Sequence, residues 1–440
     1  MSLSLLGGNM PTLRHQNRVA VLNVLLRFGP LSRSDACKIT RLTPATMTNI
    51  VSELLEAGLV TEAGSRSPNG SGVGRRHVMV DLNPDGAFAV GVHLGVRAVL
   101  VGLGNLKGQI LRRISFSVRP GDDPHSVLQS TAEAISTVVR ESGVDRQRLL
   151  GVGVGCAGLV DPETGSLKSM YHHGWHDMPV AGVLERALRL PVVVENNRNA
   201  MAMAESTFGL GQKVGDFALV HVHTTIGASI VIGHRVHHGS NNAAGQIGHL
   251  VLEQDGPCCS CGQHGCLDTL ASHPAIVRQA TQLIEKTPGS LLARLFVDKG
   301  GQLEAEDVFR AAVQCDPASK AIVAQAGAHL GRAIGHVVRI TSPELVIVVG
   351  PIFETGDLVM KPLAEAALSD TARVLGLPTR IVPTGFGSDL MVAGGVSLAL
   401  LRFLYAAEPD VRSDEGPRRY RRGVPIPGDR AAQALRVSPT

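Results

Sequence analysis

Gly248-His249, followed by Cys259-Ser260-Cys261-Gly262-Gln263-His264-Gly265-Cys266, is the stretch that decides how this chain of 440 residues is read. His249, Cys259, Cys261 and Cys266 fall within eighteen residues, with glycines between the last two thiols. That is a four-ligand soft-metal set. Tetrahedral zinc takes thiolate sulfur at about 2.3 Å and imidazole nitrogen at about 2.0 Å, and a Cys3His set with no open position is a structural site. His249, Cys259, Cys261 and Cys266 are therefore expected to hold one Zn2+ per chain, with Cys258 adjacent to the set.

The length allows two or three domains. The chain is 44% apolar and 18% charged, as expected of a core-forming protein, with 50 glycines and only 3% aromatics. Glycine at that level, without a collagen period, predicts tight turns and close backbone approaches. No run of eighteen apolar residues occurs and no signal peptide is recognisable, so neither a membrane span nor secretion is expected. Seven cysteines, an odd number without framework spacing, point to a reducing, cytoplasmic setting. The net charge is +4. From Met1 to Asn83 nine Lys/Arg face five Asp/Glu, and from Glu408 to Thr440 seven face five. The basic excess therefore lies at the two ends, mostly the first, where a polyanion can be met.

Within that basic segment the pattern predicts a winged helix-turn-helix over residues 13–83. Val21, Leu22, Leu25 and Phe28 form a helical stripe that Gly29-Pro30 stops. Ser32, with Asp35 three residues on, caps a short second helix. Thr43-Pro44 opens a third, with Thr as N-cap and Pro at the first helical position. Met47, Ile50, Val51, Leu54 and Leu55 share one face of that helix; Ala45, Thr48, Asn49 and Ser52 share the other. A small, hydrogen-bonding outer face suits base edges in a major groove. The Gly/Ser-rich loop 64–74 is the expected wing, with Arg75 and Arg76 placed for phosphate or minor-groove contact. The expected DNA-binding residues are Ser32, Arg33, Thr43, Ala45, Thr46, Thr48, Asn49, Ser52, Arg75 and Arg76. A plain three-helix interaction module is the competing reading.

From Ala87 the texture becomes α/β. Strands are expected over 88–95, 98–103 and 109–118, a helix over 124–142, and further strands at 151–158 and 192–195. The β-β-β-α-β order repeats, with strands at 217–223, 228–232 and 235–238, helices to Thr341 and a late strand at 345–350. Two similar lobes with a cleft between them follow: a small one over 84–195 plus 385–406 and a large one over 196–384. The tail over 407–440 is rich in Arg, Pro and Gly, lacks periodicity, and is expected to be disordered. His172 and His173, beside Trp175, are further candidates for the cleft.

With these pieces in place, the chain resembles the ROK family (repressors, open reading frames and sugar kinases), specifically its transcriptional-regulator branch, over nearly all of Leu13 to Leu404. The most specific element is the Gly-His plus Cys-x-Cys-Gly-x-x-Gly-Cys signature, whose spacing selects Cys259 over Cys258. For the body, the resemblance implies an actin-like ATPase (ribonuclease H-like) fold. The family's kinases carry three motifs from which this chain departs. Asp-x-Gly-x-Thr reads His93-Leu94-Gly95-Val96-Arg97, without the carboxylate. Gly-Thr-Gly reads His223-Thr224-Thr225, with a Cβ at both glycine positions. Glu-Asn-Asp-x-Asn reads Glu195-Asn196-Asn197-Arg198-Asn199, and an amide at Asn197 is no general base. Phosphoryl transfer is thus expected to be lost. Sugar-contacting positions change as well: Gly-Glu-x-Gly-His reads Gly245-Gln246-Ile247-Gly248-His249, and the Glu after the last cysteine is Asp268.

The resemblance therefore implies a zinc-containing repressor of carbohydrate-related genes that is not an enzyme. Its expected partners are a double-stranded DNA operator and a sugar or sugar-derivative effector held by Asn196, Asn197, Gln246, His249 and Asp268. It is expected to work as a homodimer or homotetramer away from membranes. Two other classes stay open: a sugar kinase with a DNA-binding head, and an effector-blind, partner-regulated DNA binder.

Overall fold

The computed structural model describes residues 10–66, 77–368, 376 and 379–405. The expected wing arginines, Arg75 and Arg76, and the tail over 407–440 lie outside the described residues.

The head begins with α1 (Met10–Phe28), whose core-facing residues are Val21, Leu22 and Leu25. Then come β1 (Leu31–Ser32) and α2 (Arg33–Thr40). The Ser32 hydroxyl accepts from the Asp35 amide at 3.1 Å, which satisfies one of the unpaired donors of the first turn. Thr43 does the same for Thr46 at the start of α3 (Pro44–Glu56), with Pro44 in the first turn. Met47, Ile50, Val51 and Leu54 are buried, as the stripe predicts. β2 (Val60–Arg66) and β3 (His77–Leu82) complete a three-stranded antiparallel sheet of order β1-β3-β2. This is the winged arrangement.

The body contains the same sheet twice. In the first lobe β4 (Phe88–Leu94), β5 (Ala98–Asn105) and β6 (Ile110–Ser117) form an antiparallel meander. The chain crosses over through α4 (Pro124–Ser142) to β7 (Leu149–Cys156), parallel to β4. A small antiparallel sheet follows, made of β8 (Leu159–Asp161), β9 (Ser166–Met170) and β10 (Trp175–Met178). Next are α5 (Val180–Leu188) and β11 (Val192–Asn196), the latter parallel to β7. The sheet order is β11-β7-β4-β5-β6.

The second lobe repeats this order. β12 (Phe217–Val222), β13 (Ile226–Ile232) and β14 (Arg235–Val236) form the meander. Five helices make the crossover: α7 (Leu267–Ala271), α8 (His273–Ile284), α9 (Leu291–Asp298), α10 (Ala305–Val313) and α11 (Pro317–Thr341). β15 (Leu345–Val349) lies parallel to β12, and after α12 (Asp357–Leu368) comes β16 (Arg380–Pro383), parallel to β15. The order β14-β13-β12-β15-β16 mirrors that of the first sheet. Among the described residues no helix is long and apolar enough to cross a membrane.

Two helices join the lobes: α6 (Asn197–Phe208), which starts directly from β11, and α13 (Leu390–Phe403). Met201, Ala202 and Ala204 of α6 share a core with Phe217, Leu219 and Ile347 of the second sheet and with Leu390 and Ala393 of α13. α13 in turn lies on the first sheet with almost no side chain between. A Cβ at Gly153 would fall 2.0 Å from the Gly395 carbonyl, and one at Gly91 would fall 2.2 Å from the Val392 carbonyl. A Cβ at Gly394 would fall 2.9 Å from the α6 backbone at Ala200.

The head shares its core with the same helix. Val21, Leu22 and Leu25 belong to one apolar cluster with Leu106, Val392, Val396 and Tyr405. The Asn23 amide donates to the Tyr405 carbonyl at 3.4 Å, and Gln212 donates to the Leu26 carbonyl at 3.1 Å.

The small sheet β8–β10 and helices α5 and α6 have no counterpart in the sequence-level expectations. The strands are only three to five residues long. In α6 the apolar positions are alanines and methionines interleaved with amides, so no strong stripe stands out.

Gly153→Ala is expected to lower the unfolding free energy by about 2–3 kcal/mol, because backbone on both sides leaves no room for relaxation. Gly182→Ala, whose Cβ has only the Arg186 guanidinium at 3.5 Å, is expected to lose nothing. Urea titrations of both variants check the contrast.

Candidate functional site

The outer face of α3 presents Thr43, Ala45, Thr48, Asn49 and Ser52 to solvent, with Thr46 partly covered. Thr48 also donates to the Pro44 carbonyl at 2.8 Å, which fixes its rotamer. Arg33 is half-buried, 3.6 Å from Glu62. Ser32 differs from expectation: it is 2% exposed, and its hydroxyl is engaged by the Asp35 amide and by the Asp35 carboxylate at 2.8 Å. Its role there is to cap α2, and its side chain does not reach the surface.

The cysteine and histidine set assembles from a loop. Gly262 and Gly265 adopt φ of +87° and +63°, turning the chain so that the thiols converge. One ligand atom each from His249, Cys259, Cys261 and Cys266 lies within 4.8 Å of all the others. Cys261 Sγ and Cys266 Sγ are 3.6 Å apart, and Cys259 Sγ is 3.6 Å from His249 Nδ1. Zinc's bond lengths set tetrahedral edges of about 3.8 Å between sulfurs and about 3.6 Å between sulfur and nitrogen. The donor set thus fits that ion in both chemistry and spacing. Cys258 points elsewhere, towards the Cys259 carbonyl, and His264 Nδ1 is 3.2 Å from the Gly256 carbonyl in an exposed loop.

The cleft residues gather where α6 begins. The Asn196 amide donates to the Gly158 carbonyl at 2.7 Å, while its oxygen accepts from the Arg198 amide at 3.0 Å. Asn197 accepts from that same amide at 2.9 Å. Asp268 accepts from the Ile226 amide at 2.7 Å. Burial raises the Asp268 carboxyl above its usual range, against the Ile226 hydrogen bond and the fields of His249, Arg198 and His172. Gln246 is exposed at the rim. Asp268 lies against Gly248, next to His249 of the metal-ligand set, and within the field of Arg198, the residue after Asn197. Of the other candidates, His172 lies within the field of Asp268. His173 is buried, with Nε2 2.6 Å from the Val96 carbonyl and its ring against Trp175, so it acts as a packing residue.

Three features of the cleft were missed from sequence. Arg198 is one: its guanidinium is desolvated, which lowers its pKa, and it lies over Gly227 where a side chain would collide with it. The second is Glu195, 4% exposed, which binds the Asn196 amide, Asn199 and, at 2.8 Å, His238 Nε2. The third is a group of histidines, with His221 in the field of Arg198. Burial brings His93 down to about 4 and His273 to about 3, and lowers His221 and His223 too, so these imidazoles are neutral at pH 7. The signal for them was present in part: His221 and His223 are two apart, on one face of a strand end.

Among known proteins, the ROK family description matches residues 89–401 and the MarR family description matches residues 15–68. The xylose repressor of Caldicellulosiruptor bescii is 27% identical over 358 residues, covering 81% of this chain and 88% of that protein. A crystal structure of a ROK family transcriptional regulator, a homologue of the Escherichia coli MLC protein, superposes with a TM-score of 0.74 at 28% identity. That match covers 88% of this chain and 96% of the other. The ROK family glucokinase of Streptomyces griseus, crystallised with glucose and AMPPNP, gives a TM-score of 0.64 at 27% identity, over 72% of this chain and 99% of the kinase.

The His238–Glu195 pair carries a pH dependence. The hydrogen bond to Glu195 raises His238 above 6.5, outweighing partial burial. A raised folded-state value stabilises fully below the unfolded one and loses that contribution as pH rises through the folded one. His238→Gln is therefore expected to destabilise the protein more at about pH 6 than at about pH 9, a difference that urea midpoints at the two pH values read directly.

Proposed function

The chain belongs to the ROK family, and we propose that it is a DNA-binding transcriptional regulator, a repressor of carbohydrate-related genes without kinase activity. A head over residues 13–83 reads DNA, a small lobe over 84–195 plus 385–406 and a large lobe over 196–384 form the sensor, and the cleft between them takes the effector. The observation that carries this reading is the exposed small and polar face of α3, set in a winged head on a kinase-type body whose Asn197 is no base.

Ala45, Thr48, Asn49 and Ser52 enter a major groove, with Thr43 and Thr46 at the helix start and Arg33 towards phosphate. Arg75 and Arg76 serve the wing. A homodimer or homotetramer places two such helices in successive grooves, about 34 Å apart. His249, Cys259, Cys261 and Cys266 hold one structural Zn2+, and no step of the regulation passes through it. Seven unpaired cysteines suit a reducing cytoplasm.

The effector is a sugar or sugar derivative bound by Asn196, Asn197, Gln246, His249 and Asp268. Arg198 beside a neutral Asn197 favours a derivative with an anionic group. Binding at the first turn of α6 alters the packing of α6 on α13, and the head rides on α13. The effector must bind the two states with different affinity, or it shifts nothing.

Thr48→Ala and Asn49→Ala are each expected to weaken binding to a DNA site selected from a random pool by about 1–3 kcal/mol, with little change on unrelated DNA. Equal losses on all sequences would remove these residues from base reading. In a thermal-shift panel of sugars and sugar phosphates, a cleft ligand should raise the melting temperature of the parent chain and much less that of Asp268→Asn. A flat panel at millimolar concentration favours the effector-blind class. Metal analysis of Cys261→Ala should show loss of about one ion per chain, and retained metal would contradict the ligand set.

A further inference from the structure

The turn between β12 and β13 carries His223, and the first residue of α8 is His273. Their ring centroids are 4.5 Å apart. Glu306, in the first turn of α10, places Oε1 3.7 Å from His273 Nδ1. One ligand atom from each of the three lies within 4.8 Å of the other two. We propose that His223, His273 and Glu306 form a second divalent transition-metal site, separate from the cysteine cluster and open towards the cleft.

Four observations carry this. First, His273 is 5% exposed, and its Nε2 is buried without a hydrogen-bond partner. A buried polar nitrogen without a partner is costly, and coordination of a metal at His273 Nε2 would remove that cost. Second, His223 Nδ1 lies 3.1 Å from Thr224 Oγ1. A metal-binding histidine commonly spends its other ring nitrogen this way, which leaves Nε2 with its lone pair free. Third, the His273 amide donates to the His223 carbonyl at 2.9 Å, which fixes the two rings side by side. Fourth, Glu306 supplies a negative charge, and its side chain is 46% exposed, free to swing in and close the remaining distance.

Two imidazoles and one carboxylate select a borderline ion such as Zn2+, Ni2+ or Cu2+ over Mg2+ or Ca2+, which prefer all-oxygen shells. Three protein ligands leave at least one position for water or a ligand's hydroxyl. Arg97, 3.9 Å from Glu304 across the cleft mouth, opposes a cation here. The site is therefore weaker than the cysteine cluster, and its ion exchanges.

The test is Co2+ and Zn2+ binding by the untagged full-length chain, followed by metal analysis and optical spectroscopy. The parent protein should take up about two ions per chain, one tight and one removable by a mild chelator. Only the tight Co2+ ion should show thiolate charge transfer; the second should show d–d bands alone. Glu306→Gln, at an exposed position, and His223→Gln should each weaken the second ion at least tenfold and leave the first in place. Cys261→Ala should do the reverse. A parent chain that binds a single, thiolate-ligated ion overturns the proposal, as does a second ion whose affinity neither His223→Gln nor Glu306→Gln changes.

Discussion

The close approach of α13 to the first sheet is the constraint on which the rest of this molecule depends. Gly91 and Gly153 on the sheet, and Gly394 and Gly395 on the helix, bring backbone against backbone where side chains would otherwise hold the layers apart. Sheets and helices packed through ordinary side chains sit about 10 Å apart, and removing Cβ atoms from both faces closes that gap. With the gap closed, α13 can touch α6 on one side, the first sheet below, and the head's apolar cluster at its end. The lobes and the head thus meet at one buried helix whose position leaves little slack.

Much of this was legible in the chain itself. Thr43-Pro44 and the Met47, Ile50, Val51, Leu54 stripe state both the start and the orientation of α3, because capping and amphipathicity are local properties. The repeated meander was readable for the same reason: runs such as Phe217–Val222 are continuously apolar and bounded by turns. The four residues singled out by the signature spacing, His249, Cys259, Cys261 and Cys266, do converge, with the choice of Cys259 over Cys258 resting on the family resemblance. What stayed hidden depends on distance in space. Glu195 and His238 are separated by 43 positions and meet only because β11 and the segment after β14 come together. His223, His273 and Glu306 are spread over three elements, and no spacing rule relates them. Ser32 was misassigned because a capping serine and a DNA-contacting serine look alike until burial separates them.

The cleft has exchanged one chemistry for another. Where the ROK kinases carry carboxylates and glycines, this chain has amides at Asn197 and Gln246, a desolvated cation at Arg198, and histidines at positions 93 and 223. A carboxylate can take a proton from a hydroxyl, but an amide can only share hydrogen bonds with it. The altered wall can therefore recognise without transforming. Asp268 keeps a carboxylate, held by the Ile226 amide, and burial makes its charge costly unless a ligand's donors arrive.

The head's shared core with α13 has a mechanical consequence. A DNA-binding module on a flexible tether samples many separations, so it tolerates half-sites at many spacings. Here Leu22 and Leu25 are packed in the same cluster as Val392 and Val396, and Asn23 bonds to Tyr405. The head is a stiff arm fixed to the sensor rather than a hook on a string. A lever of this kind would turn a small rotation at α6 into a larger displacement at the tip of the head. In the homodimer proposed above, two such arms would act as a calliper, accepting a narrow range of half-site separations, with the opening set by the proposed effector.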